Sequence, residues 1–275
     1  MTSPQSEVIA AIDVGNSRIK VGLYLARDIA ATADDALPQP IATHDLLPEA
    51  DGLARLADQL APHRPDDLAW WIGSVERTFA SRFVDWLRTN GAQRIAMMAC
   101  GDLPLVVSLP RPDMVGIDRL LAAVAINRLR EPDRPAIIAD LGTAITVDLV
   151  SADGAFLGGA ILPGIAMAAR SLHDFTDLLP QIEMAQLEEP PPALGASTVE
   201  AMRSGIYWGA VGGIRVLVAL LSAATKGDPQ IYLTGGAAPA VAHLVAPQAE
   251  FLAHLTLSGI ALSAVYAERD VFQAP

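Results

Sequence analysis

AAIDVGNSRIKVGLY (residues 10–24) and its partial repeat IIADLGTAITVDLV (residues 137–150) decide the fold class of this chain. In both stretches an apolar run ends in Asp-x-Gly, a small polar residue follows, and a second apolar run begins. Apolar runs joined by a short Gly-containing turn predict two β-strands in a hairpin. Because each half of the chain begins with such a hairpin, the sequence indicates a duplicated α/β unit with a cleft between the copies.

The remaining sequence continues the alternation of helices and strands. It predicts helices over 49–61 and 78–89, strands over 68–75 and 94–100, a helix from Gly116, a strand from 158 that turns into a helix, a helix over 197–224 capped by Ser197 or Thr198, a strand from 230, and a last helix over 257–268. The Pro-containing stretch 108–114 predicts a linker. We therefore predict two α/β domains, residues 1–112 and residues 113–275.

Composition excludes several classes of function. The chain of 275 residues carries 19 Lys+Arg against 31 Asp+Glu, a net charge of −12. Such an acidic chain repels phosphate backbones, so we expect no nucleic-acid partner. Cys100 is the single cysteine, which excludes an intramolecular disulfide and fits a reducing compartment. No secretory signal is visible, and prolines interrupt the uncharged stretch 229–248, so we expect no membrane partner and a cytoplasmic location.

The first Asp-x-Gly turn has the composition of a phosphate-binding segment. Gly15 permits close approach of backbone to a ligand, while Asn16 and Ser17 supply donors. Asp13 at the strand end can hold Mg²⁺ through water, and Lys20 is a local counter-charge. An ordinary hairpin turn favours the same residue types, which leaves a purely structural interpretation open.

The second turn repeats the pattern and favours a functional interpretation. Asp140 follows an unbroken apolar strand, where a carboxylate is costly unless it is paired or coordinates a cation. Thr143 can donate a hydrogen bond to phosphate. Asp148, in the second strand of this hairpin, is expected at a sheet edge or facing solvent.

Two further segments carry candidate chemistry. In Gly116-Ile117-Asp118-Arg119, Asp118 can accept a proton from a substrate hydroxyl and Arg119 can clamp a carboxylate, although helix capping and a surface ion pair also explain this tetrad. Gly235-Gly236 suits a flat ligand lying on backbone, or a plain turn. The chain has no GxxxxGK[ST], G-x-G-x-x-G, HExxH or GxSxG motif.

Taken in order, these motifs resemble those of one bacterial enzyme family. They are DVGNS (13–17), VGIDR (115–119), DLGTAITVDLV (140–150), GGAILPG (158–164), Leu172, Thr176, Leu179-Pro180, GASTVEAMRSGIYWG (195–209) and LTGG (233–236). The set resembles the type III pantothenate kinases, the family that includes the Bvg accessory factor proteins. The resemblance implies an α/β fold with two RNase H-like domains of the acetate and sugar kinase, Hsp70 and actin class, flanking an active-site cleft.

The resemblance also implies an activity, cofactors and partners. The reaction is ATP-dependent phosphorylation of pantothenate, the first step of coenzyme A synthesis, with Mg²⁺, a monovalent cation (K⁺ or NH₄⁺), and a homodimer. By position, ATP contacts are Asp13, Val14, Gly15, Asn16, Ser17, Arg18, Ile19, Lys20, Thr143, Gly235 and Gly236. Pantothenate contacts are Gly116, Ile117, Asp118, Arg119 and Thr198, with Asp118 as catalytic base and Asp140 as monovalent-cation ligand.

The chain departs from the family pattern on the acceptor side. Many members carry a tyrosine and Asn-Pro before the Gly-x-Asp-Arg segment, where this chain has Leu109, Arg111 and Pro112. After the central strand, Ser-Val-Glu-Arg (74–77) stands where the family often has Ser-Val-Val-Pro. Pantothenate is then held differently, or the acceptor has changed. Two alternatives therefore stay open: a kinase of another small hydroxylated acceptor such as a sugar, and a catalytically weak nucleotide-binding regulatory or accessory protein.

Overall fold

The computed structural model describes residues 8–33, 35–47, 50–187 and 189–273. The strands are β1 (Val8–Val14), β2 (Ile19–Leu25), β3 (Ala42–Leu46), β4 (Leu68–Ser74), β5 (Arg94–Met97), β6 (Ala136–Leu141), β7 (Ala144–Val150), β8 (Phe156–Pro163), β9 (Gln230–Thr234) and β10 (Glu250–Phe251). The helices are α1 (Ala26–Ala31), α2 (Ala50–Gln59), α3 (Arg77–Thr89), α4 (Ile117–Leu129), α5 (Ile165–Asp174), α6 (Thr198–Ala224), α7 (Ala238–Val245) and α8 (Leu255–Gln273).

The strands form two five-stranded sheets built to one plan. One has the order β3-β2-β1-β4-β5 and the other β8-β7-β6-β9-β10. In each sheet the first three strands in the chain form an antiparallel meander. The other two run parallel to its first strand. The same order and directions in both sheets confirm the predicted duplication.

The chain divides into two compact units that differ from the predicted domain boundary. Unit 1 comprises Met1–Glu131 with Leu255–Pro275, and unit 2 comprises Pro132–His254. The division does not fall at residue 112 because α4 and α8 pack against each other and against β4. Burial of α4 on nearly all its faces, from Ile117 to Ile126, holds it in unit 1.

The core of unit 1 lies between its sheet and the helices on it. Phe79, Phe83 and Leu87 of α3 follow helical spacing and are buried against the sheet. Trp70 of β4 is 1% exposed and meets Phe83 edge to face, with the ring centroids 6.0 Å apart. Burial of each such side chain contributes about 1.5–3 kcal/mol, so this contact fixes α3 on the sheet.

The core of unit 2 is organised by α6, which is long and apolar. Its buried side chains are Met202, Ser204, Ile206, Tyr207, Val211, Ile214 and Val218, and the apolar ones belong to the core of this unit. By length and composition α6 could also cross a membrane, with a mean hydropathy of 1.6 in its most apolar window and 28% of that window buried. Core helices of soluble proteins meet the same criterion, so the finding is weak evidence for a membrane span. The uncharged stretch 229–248 forms β9 and α7.

Candidate active site

In unit 1 the turn that follows Asp13 lies at the carboxyl edge of two parallel strands. β1 and β4 pair in register, with Asp13 opposite Gly73 and Val14 opposite Ser74. The backbone N–H of Val75 donates to the carbonyl oxygen of Val14 at 3.1 Å. The residues that follow β4 therefore lie beside the turn that follows β1. This edge is where ligands commonly bind in α/β sheets.

The turn itself is tight and its polar residues are accessible. The Gly15 N–H donates to the Arg18 carbonyl at 3.0 Å, and Asn16, Ser17 and Arg18 are exposed. Lys20 of β2 pairs in register with Asp13, so both side chains lie on the same face of the sheet. A cation and a carboxylate thus stand next to a turn of exposed residues, which is a suitable environment for a metal-bound phosphate.

The start of α4 lies at the same edge of the unit 1 sheet. Gly116 is the N-cap residue, and the Asp118 carboxylate accepts a hydrogen bond from the Arg119 N–H at 2.8 Å. A Cβ added to Gly116 would lie 2.6 Å from Asp118 Oδ1 and 3.6 Å from Val75 Cγ1. Asp118 thus belongs to the neighbourhood of Val75 and, through it, of Val14. The structure brings the Asp13 turn and the Gly116–Arg119 segment to one edge of the sheet.

The residues that depart from the family pattern have structural partners. The Arg111 guanidinium forms two hydrogen bonds with the Asp113 carboxylate, at 2.9 and 2.7 Å, which lower the pKa of Asp113. Glu76 is the N-cap of α3, and its carboxylate accepts the N–H groups of Phe79 and Thr78. These bonds, chiefly the one from Phe79, lower the pKa of Glu76. Arg111 and Glu76 are each bonded within their own segment.

In unit 2 the second Asp-x-Gly turn is closed by a glycine on the neighbouring strand end. β6 and β9 run parallel with Asp140 opposite Thr234. Gly235 has φ +95°, and an added Cβ would lie 2.4 Å from Asp140 Oδ1 and 2.6 Å from the Leu141 backbone. Both the backbone conformation and the available space therefore require glycine. Asp140 and Gly235 therefore lie side by side at one end of the unit 2 sheet.

The Thr143 end of this turn is supported by a glycine that was not among the predicted site residues. The Gly164 N–H donates to the Thr143 carbonyl at 3.1 Å. A Cβ on Gly164 would lie 2.2 Å from that oxygen and 2.5 Å from the Gly142 carbonyl oxygen. The signal was present in the sequence, because Gly164 ends the GGAILPG motif just before α5. Thr143 itself is exposed.

Two other predictions have definite outcomes in unit 2. Asp148 was expected at an edge or in solvent, and that expectation is wrong because the residue is 2% exposed on β7, an interior strand between β6 and β8. Gly159 lies opposite it on β8, and the missing side chain leaves room for the carboxylate. Ser197 caps α6 by accepting the Glu200 N–H at 3.3 Å. Thr198 is therefore the first residue of the helix, and it is exposed.

The carboxylates of Asp13 and Asp140 fit cations that bind oxygen and take their remaining ligands from other groups. Within the described ranges, no three His, Cys, Asp or Glu side chains cluster as a metal site. A cation at Asp13 or Asp140 would therefore take its other ligands from backbone carbonyls, water and substrate phosphate, as Mg²⁺ commonly does. Gly235 has no side chain, so none crowds Asp140 Oδ1 on that side.

Comparisons with solved structures support the fold. A conserved Baf family protein of Campylobacter jejuni has a TM-score of 0.57 at 17% identity, covering 96% of this chain and 100% of that chain. The activator of the 2-hydroxyisocaproyl-CoA dehydratase from Clostridium difficile, with bound ADPNP, has a TM-score of 0.55 at 11% identity, covering 98% of each. These similarities and the two matching sheets confirm the expected fold class.

Comparisons with sequences establish the family. A type III pantothenate kinase of Paramagnetospirillum magneticum is 41% identical over 159 residues, 58% of this chain and 59% of that relative's length. One of Geotalea uraniireducens is 31% identical over 271 residues, covering 92% of this chain and 96% of the relative. A family model described as type III pantothenate kinase matches residues 9–220. The chain belongs to the type III pantothenate kinase family.

Proposed function

We propose that this chain transfers the γ-phosphoryl group of ATP to pantothenate, giving 4′-phosphopantothenate in the first step of coenzyme A biosynthesis. The observation that carries the proposal is the placement of Asp118 beside Val75, next to the Asp13 turn on one sheet edge. A hydroxyl acceptor and a phosphate group need to be held close together for this reaction, and positioning supplies much of the acceleration. Family membership gives the substrates their identity.

The proposed chemistry assigns a role to each segment. Asp118 accepts the proton of the primary hydroxyl while the hydroxyl oxygen bonds to the γ-phosphorus. The bond between the γ-phosphorus and the bridging β-phosphate oxygen breaks, which releases ADP. Arg119 and Thr198 bind pantothenate, together with the backbone of Gly116 and Ile117. Residues 13–20 and Thr143 contact the phosphates, and Gly235-Gly236 lie against the adenosine.

Cations neutralise the phosphate charge in this proposal. Asp13 holds Mg²⁺ through water, and Asp140 binds K⁺ or NH₄⁺. The acidic chain supplies few lysines near either turn, Lys20 being the one in register with Asp13. Metal ions and backbone amides thus bind the phosphates in place of a basic patch, although the net charge of the chain is −12.

We further propose that the enzyme is a cytoplasmic homodimer. The two chains contact each other through the outer face of α6. Gly205, Gly209 and Gly212 have open space where a Cβ would be, and Val216 and Leu220 are 58% and 60% exposed. These five residues recur at helical spacing and carry no charge. We propose a second copy of the chain as the partner on this face, because two chains of net charge −12 repel one another least across an uncharged surface. Light scattering should give the dimer mass, and Leu220→Glu should shift it to the monomer.

An acceptor panel tests the activity against its alternatives. Purified protein with ATP, Mg²⁺ and K⁺ should release ADP with pantothenate and not with sugars in a coupled assay. Turnover with a sugar alone would establish the second candidate, which the changed residues before Gly116 motivate. Nucleotide binding without turnover of any acceptor would establish the accessory-protein candidate.

A further inference from the structure

Three charged side chains lie across one face of the unit 1 sheet beside the Asp13 turn. In this sheet β2 lies between β1 and β3. Lys20 of β2 pairs in register with Asp13 of β1 on one side and with Asp45 of β3 on the other. Residues directly opposite one another on antiparallel strands share a face of the sheet, with their Cβ atoms about 4.5–5.5 Å apart. Lys20 therefore stands between two carboxylates.

Asp45 is close to the turn because β3 returns to the same edge of the sheet. β3 runs antiparallel to β2, and Leu46, the last residue of β3, lies opposite Ile19, the first residue of β2. Asp45 directly precedes Leu46 in the chain. The Arg18 guanidinium, which belongs to the turn, lies 3.7 Å from the Asp45 carboxylate, measured from Nη1 to Oδ2. The edge strand thus supplies a carboxylate to a cation of the turn.

The two cations of the turn differ in their partners. In the described part of the chain, the Arg18 guanidinium pairs with Asp45, whereas the Lys20 ammonium forms no ion pair. The side chains of Arg18 and Asp45 are 66% and 53% exposed. Water competes for both groups at such exposure, so the pair is weak and can open. Arg18 can therefore exchange Asp45 for another anion, and Lys20 is already available to one.

We propose that Asp45 restrains Arg18 in the free enzyme, and that Arg18 leaves Asp45 for the phosphates when ATP binds. This inference rests on the proposed function, since it takes the Asp13 turn as the site of the ATP phosphates. Binding must then break the ion pair between Arg18 and Asp45, so the pair weakens the affinity for ATP. Asp45 is a positioning residue that acts through Arg18 and does not itself bind the nucleotide. Removal of its charge should strengthen ATP binding.

The dissociation constant for MgATP, measured by titration calorimetry without an acceptor, tests the proposal. Asp45→Asn should lower this constant about two- to five-fold, the range set by the strength of an exposed ion pair. Asp45→Glu keeps the charge and should bind MgATP nearly as wild type does. Asp28→Asn is the matched control, because Asp28 forms a similarly exposed ion pair with Arg27 on α1, outside the Asp13 turn, at 3.4 Å.

A double variant shows whether Asp45 acts through Arg18. In an Arg18→Gln protein the guanidinium is absent, so no ion pair is left to break. Asp45→Asn in this background should leave the dissociation constant for MgATP nearly unchanged. A fall as large as in the Arg18 protein would show that Asp45 acts on the nucleotide directly and would overturn the proposal.

The other outcomes separate the role of Asp45 from the proposed function. An unchanged or higher dissociation constant in Asp45→Asn, or an equal fall in Asp28→Asn, would overturn the role of Asp45 and leave the kinase activity standing. Because the titration contains no acceptor, its result does not depend on the identity of the acceptor. If the wild-type protein binds no MgATP, the proposed function fails, and the role of Asp45 fails with it.

Discussion

Replacing Gly116 with alanine should slow catalysis without unfolding the protein. Gly116 is the N-cap of α4 with φ −56°, a conformation that alanine also adopts. The new Cβ would lie 2.6 Å from Asp118 Oδ1, whereas ordinary van der Waals contact begins near 3.4 Å. The carboxylate must therefore move by close to 1 Å, and its side chain can rotate to do so. The backbone does not have to shift.

The expected magnitudes follow from that geometry. Displacement of a catalytic group by about 1 Å costs up to about 100-fold in rate. Alanine is a poorer N-cap than glycine by roughly 0.5–1 kcal/mol, but it also restricts the unfolded chain by about the same amount, so stability should hardly change. We expect kcat to fall about 10- to 100-fold while the melting temperature stays within a few degrees of wild type.

The assay is steady-state kinetics with pantothenate, paired with thermal unfolding followed by circular dichroism. Gly101→Ala is the control, because the added Cβ meets nothing within 4 Å and the residue is exposed. A Gly116→Ala enzyme with the wild-type kcat would refute the placement of Asp118 as the base. A large fall in melting temperature would show that the Gly116 contact is structural.

Further predictions concern the other segments of the site. Asp118→Asn should fold normally and lose turnover by at least about 100-fold; retained turnover would remove it from the base role. Gly164→Ala places a Cβ 2.2 Å from the Thr143 backbone oxygen, which cannot rotate away. We expect a loss of about 2–3 kcal/mol of stability, a melting temperature lower by roughly 10 °C, and a higher KM for ATP. A wild-type melting curve would contradict the clash. Because the pKa of Glu76 is lowered in the folded protein, its ionised cap stabilises α3 fully above the ordinary carboxyl pKa and loses this effect as the pH falls through the folded pKa. Glu76→Gln should therefore melt below wild type at pH 7 and approach the wild-type melting temperature in acid. A difference in melting temperature that does not change with pH would argue against the cap. Replacing K⁺ with Na⁺ should reduce wild-type turnover, and Asp140→Asn should abolish that difference; a cation response that persists in the variant would place the ion elsewhere.

Local features of the fold were predictable from the sequence because they depend on neighbouring residues. Each Asp-x-Gly hairpin is formed by adjacent strands, so its pattern is complete within about 15 residues. Ser197 before Glu200 is likewise a local cap signal, and the structure has that bond. The same holds for α3, predicted over 78–89 and found at Arg77–Thr89.

Features that depend on distant contacts were not predictable. The return of α8 to unit 1 is decided by packing against α4 and β1, and an apolar helix of this kind could have packed on either sheet. Burial of Asp148 depends on its place in an interior strand and on Gly159 opposite it on β8. The changed residues Glu76 and Arg111 were visible in the sequence, but their partners became clear only from the hydrogen bonds.

The most direct test of the central claim is the identity of the reaction product. The purified chain should be incubated with ATP, Mg²⁺, K⁺ and pantothenate, and the products identified by mass spectrometry and phosphorus NMR. We expect 4′-phosphopantothenate in an amount equal to the ADP released. Absence of ADP, or ADP formed without phosphorylated pantothenate, in a protein that is folded and binds nucleotide would contradict the proposed kinase activity.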